Sequence, residues 1–178
     1  MAGGGAMKQE TLVDLHVFED HLARYAFASE FVKNENVLDV ACGAGYGSSY
    51  LFKRGAKSVV GGEISINDVK TAQEVYGSKG VQFVALDATL LPFENEVFDA
   101  VISMETIEHL ARYKDYLSEC KRVLKKGGVY ICSTPNKGHG IPEIKSFSPY
   151  LVHEFYIEEL KNLISEYFTD VSLYGQDT

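Results

Sequence analysis

Three features of the sequence predict an α/β fold, doubly wound around a mostly parallel sheet. Apolar runs of strand length alternate with segments of helical periodicity along most of the chain. The first of these runs, Val37-Leu38-Asp39-Val40, leads into a turn with glycines at alternating positions, Gly43, Gly45 and Gly47. Acidic residues recur at successive strand ends, at Asp39, Glu63, Asp87 and Glu105. In open α/β sheets, ligands bind outside the carboxyl ends of the strands where strand order reverses, so acids in those places predict a ligand site.

Taken in order, a first helix is expected from about Thr11 to Val32, where Leu12, Leu15, Leu22, Tyr25, Ala26 and Phe31 recur at mostly helical spacing. His16, His21 and Arg24 interrupt that apolar pattern. Most such residues are simply solvated, but this helix leads straight into the strand before the glycine turn, so Arg24 is a candidate for a ligand's carboxylate. Strand one is followed by a helix from Ser48 to Arg54, stopped by Gly55, and by strand two, Lys57 to Ile64. A helix from Asn67 to Tyr76 ends at Gly77, and strand three, Val81 to Leu86, has Asp87-Ala88 at its tip. Strand four runs from Val97 to Ser103, then a short helical turn over 104–110, a helix from Tyr113 to Leu124, and a turn at Lys126-Gly127-Gly128 into strand five, Val129 to Ser133. A helix from Ile157 to Tyr167 and a sixth strand, Asp170 to Tyr174, complete the expected order. Residues 1–8 read as an appended, disordered tag, which leaves one domain over 9–178.

Size and composition narrow the function. A chain of 178 residues, 46% hydrophobic and 24% charged, has the make-up of a single globular domain with a sizeable core. It shows no apolar run long enough for a membrane span and no signal peptide, which predicts a cytoplasmic protein. The formal charge of −8 argues against tight binding to a nucleic-acid backbone. Cys42, Cys120 and Cys132 form no CxxC pair, a pattern that suits a reducing compartment and builds neither a zinc site nor a disulfide framework. Cys42 reads as a small residue of the glycine turn rather than a nucleophile.

The glycine turn does not fit a dinucleotide. That fingerprint is G-x-G-x-x-G, whereas here the third glycine comes one position early and Ser48 holds its slot. Asp39 beside the turn would repel a pyrophosphate and attract a ligand with an ammonium and a sulfonium, as in S-adenosylmethionine (SAM). Glu63 lies 24 positions after Asp39, where a carboxylate can accept both hydroxyl protons of a ribose. Asp87 could accept from an adenine amino group, and the Ala88 backbone N–H could serve a ring nitrogen. The bland alternatives are an ordinary tight turn and a solvated strand-end acid.

The segments DVACGAGYGS, GGEIS, LDATLLPFENEVFDAVIS and RVLKKGGVYICSTPN resemble the class I SAM-dependent methyltransferases, from about His21 to Gln176. The resemblance implies methyl transfer with release of S-adenosylhomocysteine. It implies cofactor contacts at Arg24, Asp39, Gly43, Ala44, Gly45, Glu63, Ile64, Asp87, Ala88 and Met104. That family usually has seven strands, the last pair antiparallel, and the seventh is expected to be missing here. An open sheet edge would follow, and could pair two subunits into a homodimer.

Methyl transfer is an in-line displacement at an activated carbon, so alignment and exclusion of water are the main requirements, with a base needed for a hydroxyl acceptor. Glu105, Glu108 and His109, at i, i+3 and i+4, would share one helix face. His153 and Glu154 could close over it. This E-x-x-E-H pattern with a later His resembles two metal-using branches, the small-RNA 3′-terminal 2′-O-methyltransferases and the ubiquinone-pathway catechol O-methyltransferases. It implies Mg2+ or Mn2+ on Glu105, Glu108, His109 and His153. A metal-free site with His109, Glu105 and His153 as catalytic groups stays open, as does a purely structural role. Lys137, His139 and Lys145 are few for an RNA-binding mouth. The stretch 136–150 is therefore expected to cover a small-molecule acceptor, with Phe147, Tyr150 and Phe155 against a ring or sugar. The expected reaction is methylation of a small molecule at oxygen. The RNA 3′-end enzyme, a NAD-dependent oxidoreductase and a non-catalytic binding protein of the same fold are the alternatives.

Overall fold

The computed structural model describes residues 9–138 and 151–176, with side chains described from residue 18 onward. The elements follow the predicted alternation: α1 (Gln9–Ser29), β1 (Asn36–Val40), α2 (Tyr46–Lys53), β2 (Ser58–Glu63), α3 (Ile66–Tyr76), β3 (Val81–Ala85), β4 (Phe98–Met104), a 3-10 turn (Ile107–His109), α4 (Tyr113–Val123), β5 (Leu124–Ser133) and α5 (Ile157–Ser165). The described strands form one sheet of five in the order β3-β2-β1-β4-β5, and every pairing is parallel. Strand order reverses between β1 and β4, so the crevice above their carboxyl ends is where such a sheet receives a ligand.

Parallel strands are covered on both faces and so carry continuous apolar runs. Val37, Leu38 and Val40 of β1 and Ala100, Val101 and Ile102 of β4 are accordingly all buried. One face packs against α1 and α2 through Tyr25, Ala28, Val32, Leu51 and Met104. The other packs against α4 and α5 through Tyr116, Leu117, Cys120, Leu163 and Ile164. Ser65 caps α3 by accepting from the Asp68 backbone N–H at 3.3 Å, which is why that helix opens right after the tip of β2.

Two elements differ from expectation. The Lys126-Gly127-Gly128 stretch is no turn: β5 begins at Leu124 and absorbs these residues in a register shift against β4, with Gly127 at φ +77°. A glycine in the left-handed region lets the strand bulge without breaking, which local turn chemistry could not reveal. The sixth strand does not form. Residues 171–176 carry no ladder, and the segment instead crosses to α1, where Tyr174 packs on Phe27 at 4.9 Å and Gln176 donates to the Asp20 carbonyl at 3.2 Å. A strand requires a partner edge, and these contacts take the segment to a helix surface.

Candidate active site

The glycine turn leaves the tip of β1 with Ala41 at φ +58°, Gly43 at φ +54° and Gly45 at φ +83°. The glycines have different jobs. A methyl group on Gly45 would meet Ala72 and Phe83 at 2.7 Å, and one on Gly47 would run into the Tyr25 ring, so both are small because the fold packs onto them. A methyl group on Gly43 would meet nothing within 4 Å. Gly43 therefore presents bare backbone to open space at the switch point, and exposed Ala44 continues that surface.

Asp39 is wholly buried beneath this turn. Its carboxylate accepts from the Ser48 hydroxyl at 2.6 Å and from the Tyr25 hydroxyl at 3.2 and 3.3 Å. Burial raises its pKa to about 7, against the lowering effect of those two hydroxyls. Its hydrogen bonds fix the turn to α1 and α2, so its influence on a ligand is exerted from behind the loop. Tyr25 and Ser48 were legible only as a core aromatic and as the occupant of a glycine slot.

Glu63 ends β2 and turns back over the loop. One carboxylate oxygen accepts from the Gly43 N–H at 3.1 Å; the other accepts from Ile64 and Ser65 at 2.8 and 3.1 Å. The neighbouring Ile64 side chain is 73% exposed, an apolar surface beside a carboxylate. At the tip of β3, Asp87 is held by the Thr89 N–H at 2.7 Å and the Thr89 hydroxyl at 2.8 Å, and these bonds keep its carboxyl below the ordinary range. Ala88 packs against the core beside it, and Leu90 is exposed.

The tip of β4 carries Glu105 at φ +51°, a backbone state that costs a non-glycine residue free energy and clusters at functional sites. Ser133, at the end of β5, donates its hydroxyl to Glu105 at 2.6 Å, and Arg24 of α1 approaches the same oxygen at 3.7 Å. Helix α1 and the tip of β4 thus meet across the crevice. Met104 does not line it: the side chain is buried in the core with Tyr25 and Ile102, since alternation along a strand turns it inward.

The expected metal cluster does not assemble. Among the described residues no group of three His, Cys, Asp or Glu side chains could hold an ion. Residues 107–109 form a single 3-10 turn rather than a helix, so the i, i+3, i+4 register that would align the cluster is lost. Glu105 turns to Ser133 and Arg24. Glu108 is buried, accepts from the Thr134 hydroxyl at 2.9 Å, and has its pKa raised chiefly by burial. His109 sits half-exposed with Nε2 3.9 Å from Glu108, and His153 is hydrogen-bonded through Nε2 to Glu159 at 2.9 Å. What Glu108 does provide is an anchor: its carbonyl accepts from the backbone N–H groups of Val152 and His153, both at 2.9 Å. Phe155, expected against a ligand ring, is instead buried in the core beside Tyr113. Phe147, Tyr150, His139 and Lys145 lie outside the described residues.

These features suit an adenosyl ligand with an amino-acid arm: open backbone at Gly43, a carboxylate at the β2 tip, exposed aliphatic side chains beside it, and a guanidinium near the β4 tip. Residues 38–132 match the methyltransferase domain family, and the chain belongs to it. It is a class I SAM-dependent methyltransferase domain. Over 107 residues it is 35% identical to a ubiquinone biosynthesis O-methyltransferase of Roseobacter denitrificans, covering 59% of this chain and 43% of that protein. Over 132 residues it is 31% identical to a fatty-acid O-methyltransferase of Mycolicibacterium smegmatis, covering 70% and 48%. The chain spans about half the length of the curated relatives it matches. Among solved structures, the PH0226 protein of Pyrococcus horikoshii superimposes with a TM-score of 0.68 at 28% identity, covering 91% of this chain and 84% of that one. Among the described residues no helix is long and apolar enough to cross a membrane.

Proposed function

We propose that this domain transfers the methyl group of SAM to an oxygen atom, a hydroxyl, of a small-molecule acceptor. The observation that carries this reading is the bare Gly43 backbone at the switch point, set between the Glu63 carboxylate and the Arg24–Glu105 pair. SAM supplies an electrophilic methyl group; the chain's task is to hold and orient it and keep water away. Arg24 takes the carboxylate of the amino-acid arm, exchanging part of its contact with Glu105. Asp39 sets the electrostatics from behind the loop, and Gly43, Ala44 and Gly45 give the arm a backbone seat. Glu63 takes the ribose hydroxyls, Ile64 flanks the adenine, and Asp87 with the Ala88 N–H meets its edge; Met104 contributes through its backbone alone. Glu105 and His109 face the acceptor side, and His153, held by Glu159, shapes its wall. The names of two curated relatives, a ubiquinone biosynthesis O-methyltransferase and a fatty-acid O-methyltransferase, support oxygen as the acceptor atom. Residues 9–178 act as one domain in a reducing cytoplasm, and the open β5 edge pairs two copies.

Transfer of labelled methyl from SAM tests this. Pools of phenols, aliphatic alcohols, fatty acids and short RNAs are incubated with the protein, with and without a chelator. Label is expected in a small-molecule pool and is expected to survive chelation. Label confined to RNA, or its absence from every pool, would overturn the reading.

A further inference from the structure

Helix α1 places an imidazole over the crevice that the site described so far does not use. The helix descends toward the amino ends of the strands: Tyr25 meets Asp39 near the tip of β1, and the chain then turns at Asn34 and Glu35 into the start of β1. His21 precedes Tyr25 by four residues and Arg24 by three, which puts it on the same helix face, about 5 Å farther toward the ligand end. One turn beyond it, Phe18 packs on Tyr46 of α2 at 5.1 Å. Below it, Arg24 reaches Glu105 at 3.7 Å. His21 is thus bracketed by contacts that pin α1 to the glycine turn on one side and to the β4 tip on the other. It is half-buried, yet among the described residues no group hydrogen-bonds its ring. Among the described residues no buried side-chain nitrogen or oxygen lacks a partner, so both ring nitrogens reach solvent-accessible space.

We propose that His21 accepts the proton of the acceptor hydroxyl, an assignment that rests on the hydroxyl-methylating reading above. As the acceptor oxygen bonds to the methyl carbon, the carbon–sulfur bond breaks and its electron pair stays on sulfur. The hydroxyl proton passes to the free ring nitrogen of His21 and from there to water. The charged groups facing the ring are Asp20 and Arg24 on α1 and Glu105 at the β4 tip; Tyr46 packs beside them through Phe18. Burial, joined by the Arg24 guanidinium, lowers the ring below the ordinary histidine range, while Glu105 and Asp20 pull the other way. These effects together favour the neutral ring, the form that can receive a proton, and the Glu105 carboxylate offsets the charge it then acquires. Of the other described histidines, His109 lies 3.9 Å from Glu108 and His153 is hydrogen-bonded to Glu159.

The test compares His21→Gln and His109→Gln with the wild type. Imidazole NMR titration of the S-adenosylhomocysteine complex is expected to show a His21 ring that titrates below the ordinary value. S-adenosylhomocysteine affinity of His21→Gln should stay within about twofold of wild type. Its kcat on a panel of monophenols, catechols and aliphatic alcohols should fall by about 10²–10⁴-fold, with loss of the acidic limb of the pH–rate profile and partial rescue by added imidazole. His21→Gln retaining kcat and the acidic limb, or a ring titrating at or above the ordinary value, would overturn the assignment alone. Hexadecanoate, which arrives deprotonated, separates the cases further. Labelling of hexadecanoate but of no hydroxyl would remove the base and leave methyl transfer standing. A wild type that methylates no probe would overturn the functional reading and the base with it.

Discussion

Asp39 shows how one residue serves both fold and site. Its carboxylate is satisfied by Ser48 and Tyr25, and these three side chains tie β1, α2 and α1 into one joint beneath the ligand loop. Gly47 is part of the same joint, since any side chain there would displace the Tyr25 ring. Burial lifts the Asp39 carboxyl to about 7, above its value in an unfolded chain, so the folded state binds the proton more tightly. The sign follows. Its favourable contribution is complete below about pH 4 and is lost as pH rises through 7, by up to ~4 kcal/mol. Asp39→Asn has no such titration. The wild type's advantage over this variant in urea unfolding is expected to shrink between pH 5 and pH 8. A gap that stays constant or widens would show Asp39 ionised throughout. The same linkage means that a cationic ligand arm near the loop favours the ionised form, so SAM binding should release protons near neutral pH.

At the scale of elements, the crevice depends on loops being held by charged side chains with several partners. Arg122 of α4 donates to both oxygens of Glu119, each at 2.7 Å, and to the carbonyls of Leu91 at 2.9 Å and Phe93 at 2.6 Å. Glu119 in turn accepts from the Leu91 N–H at 2.7 Å. This clamp fixes the segment between β3 and β4, which carries the adenine-side residues onward from Asp87. Arg122→Ala takes a donor from two carbonyls and from the Glu119 carboxylate, which keeps the Leu91 N–H, and the expected cost is about 1–3 kcal/mol after allowing for partial exposure. Urea unfolding measures it; a loss below a few tenths would show that water replaces the guanidinium fully. Segment 151–155 is held in a different way, by backbone bonds from Val152 and His153 to the Glu108 carbonyl and from Lys137 to the Phe155 carbonyl. Side-chain substitution at Glu108 leaves those bonds possible, so its buried carboxyl matters for Thr134 rather than for that anchor.

For the whole molecule, the sheet's asymmetry is the main consequence of its order. Among the described residues β5 pairs with β4 on one side only, and beside it Phe27, Phe31 and Tyr174 form an exposed aromatic cluster. An unpaired edge flanked by apolar rings invites strand addition. Sedimentation is expected to show a dimer whose population grows with concentration and falls on Tyr130→Pro, which removes a ladder donor from β5. A wild type that stays monomeric at high concentration would count against edge pairing.

How much of this was legible depended on the range of the interactions. The alternation of apolar runs and amphipathic segments determined the α/β class, because burial on two faces or one leaves a periodicity in local sequence. The glycine turn and the acids Glu63 and Asp87 at strand tips were equally local, since each follows its own strand. The E-x-x-E-H spacing misled: it is a helical register, and the backbone makes only one 3-10 turn there. The distinction between an open Gly43 and packed Gly45 and Gly47 required Phe83 and Tyr25, distant in sequence. The same holds for Tyr25 on Asp39, Ser133 on Glu105 and His21 over the crevice. Periodicity records which face of an element is buried; only the tertiary structure decides which distant side chain buries it, because the topology of the sheet brings the two together.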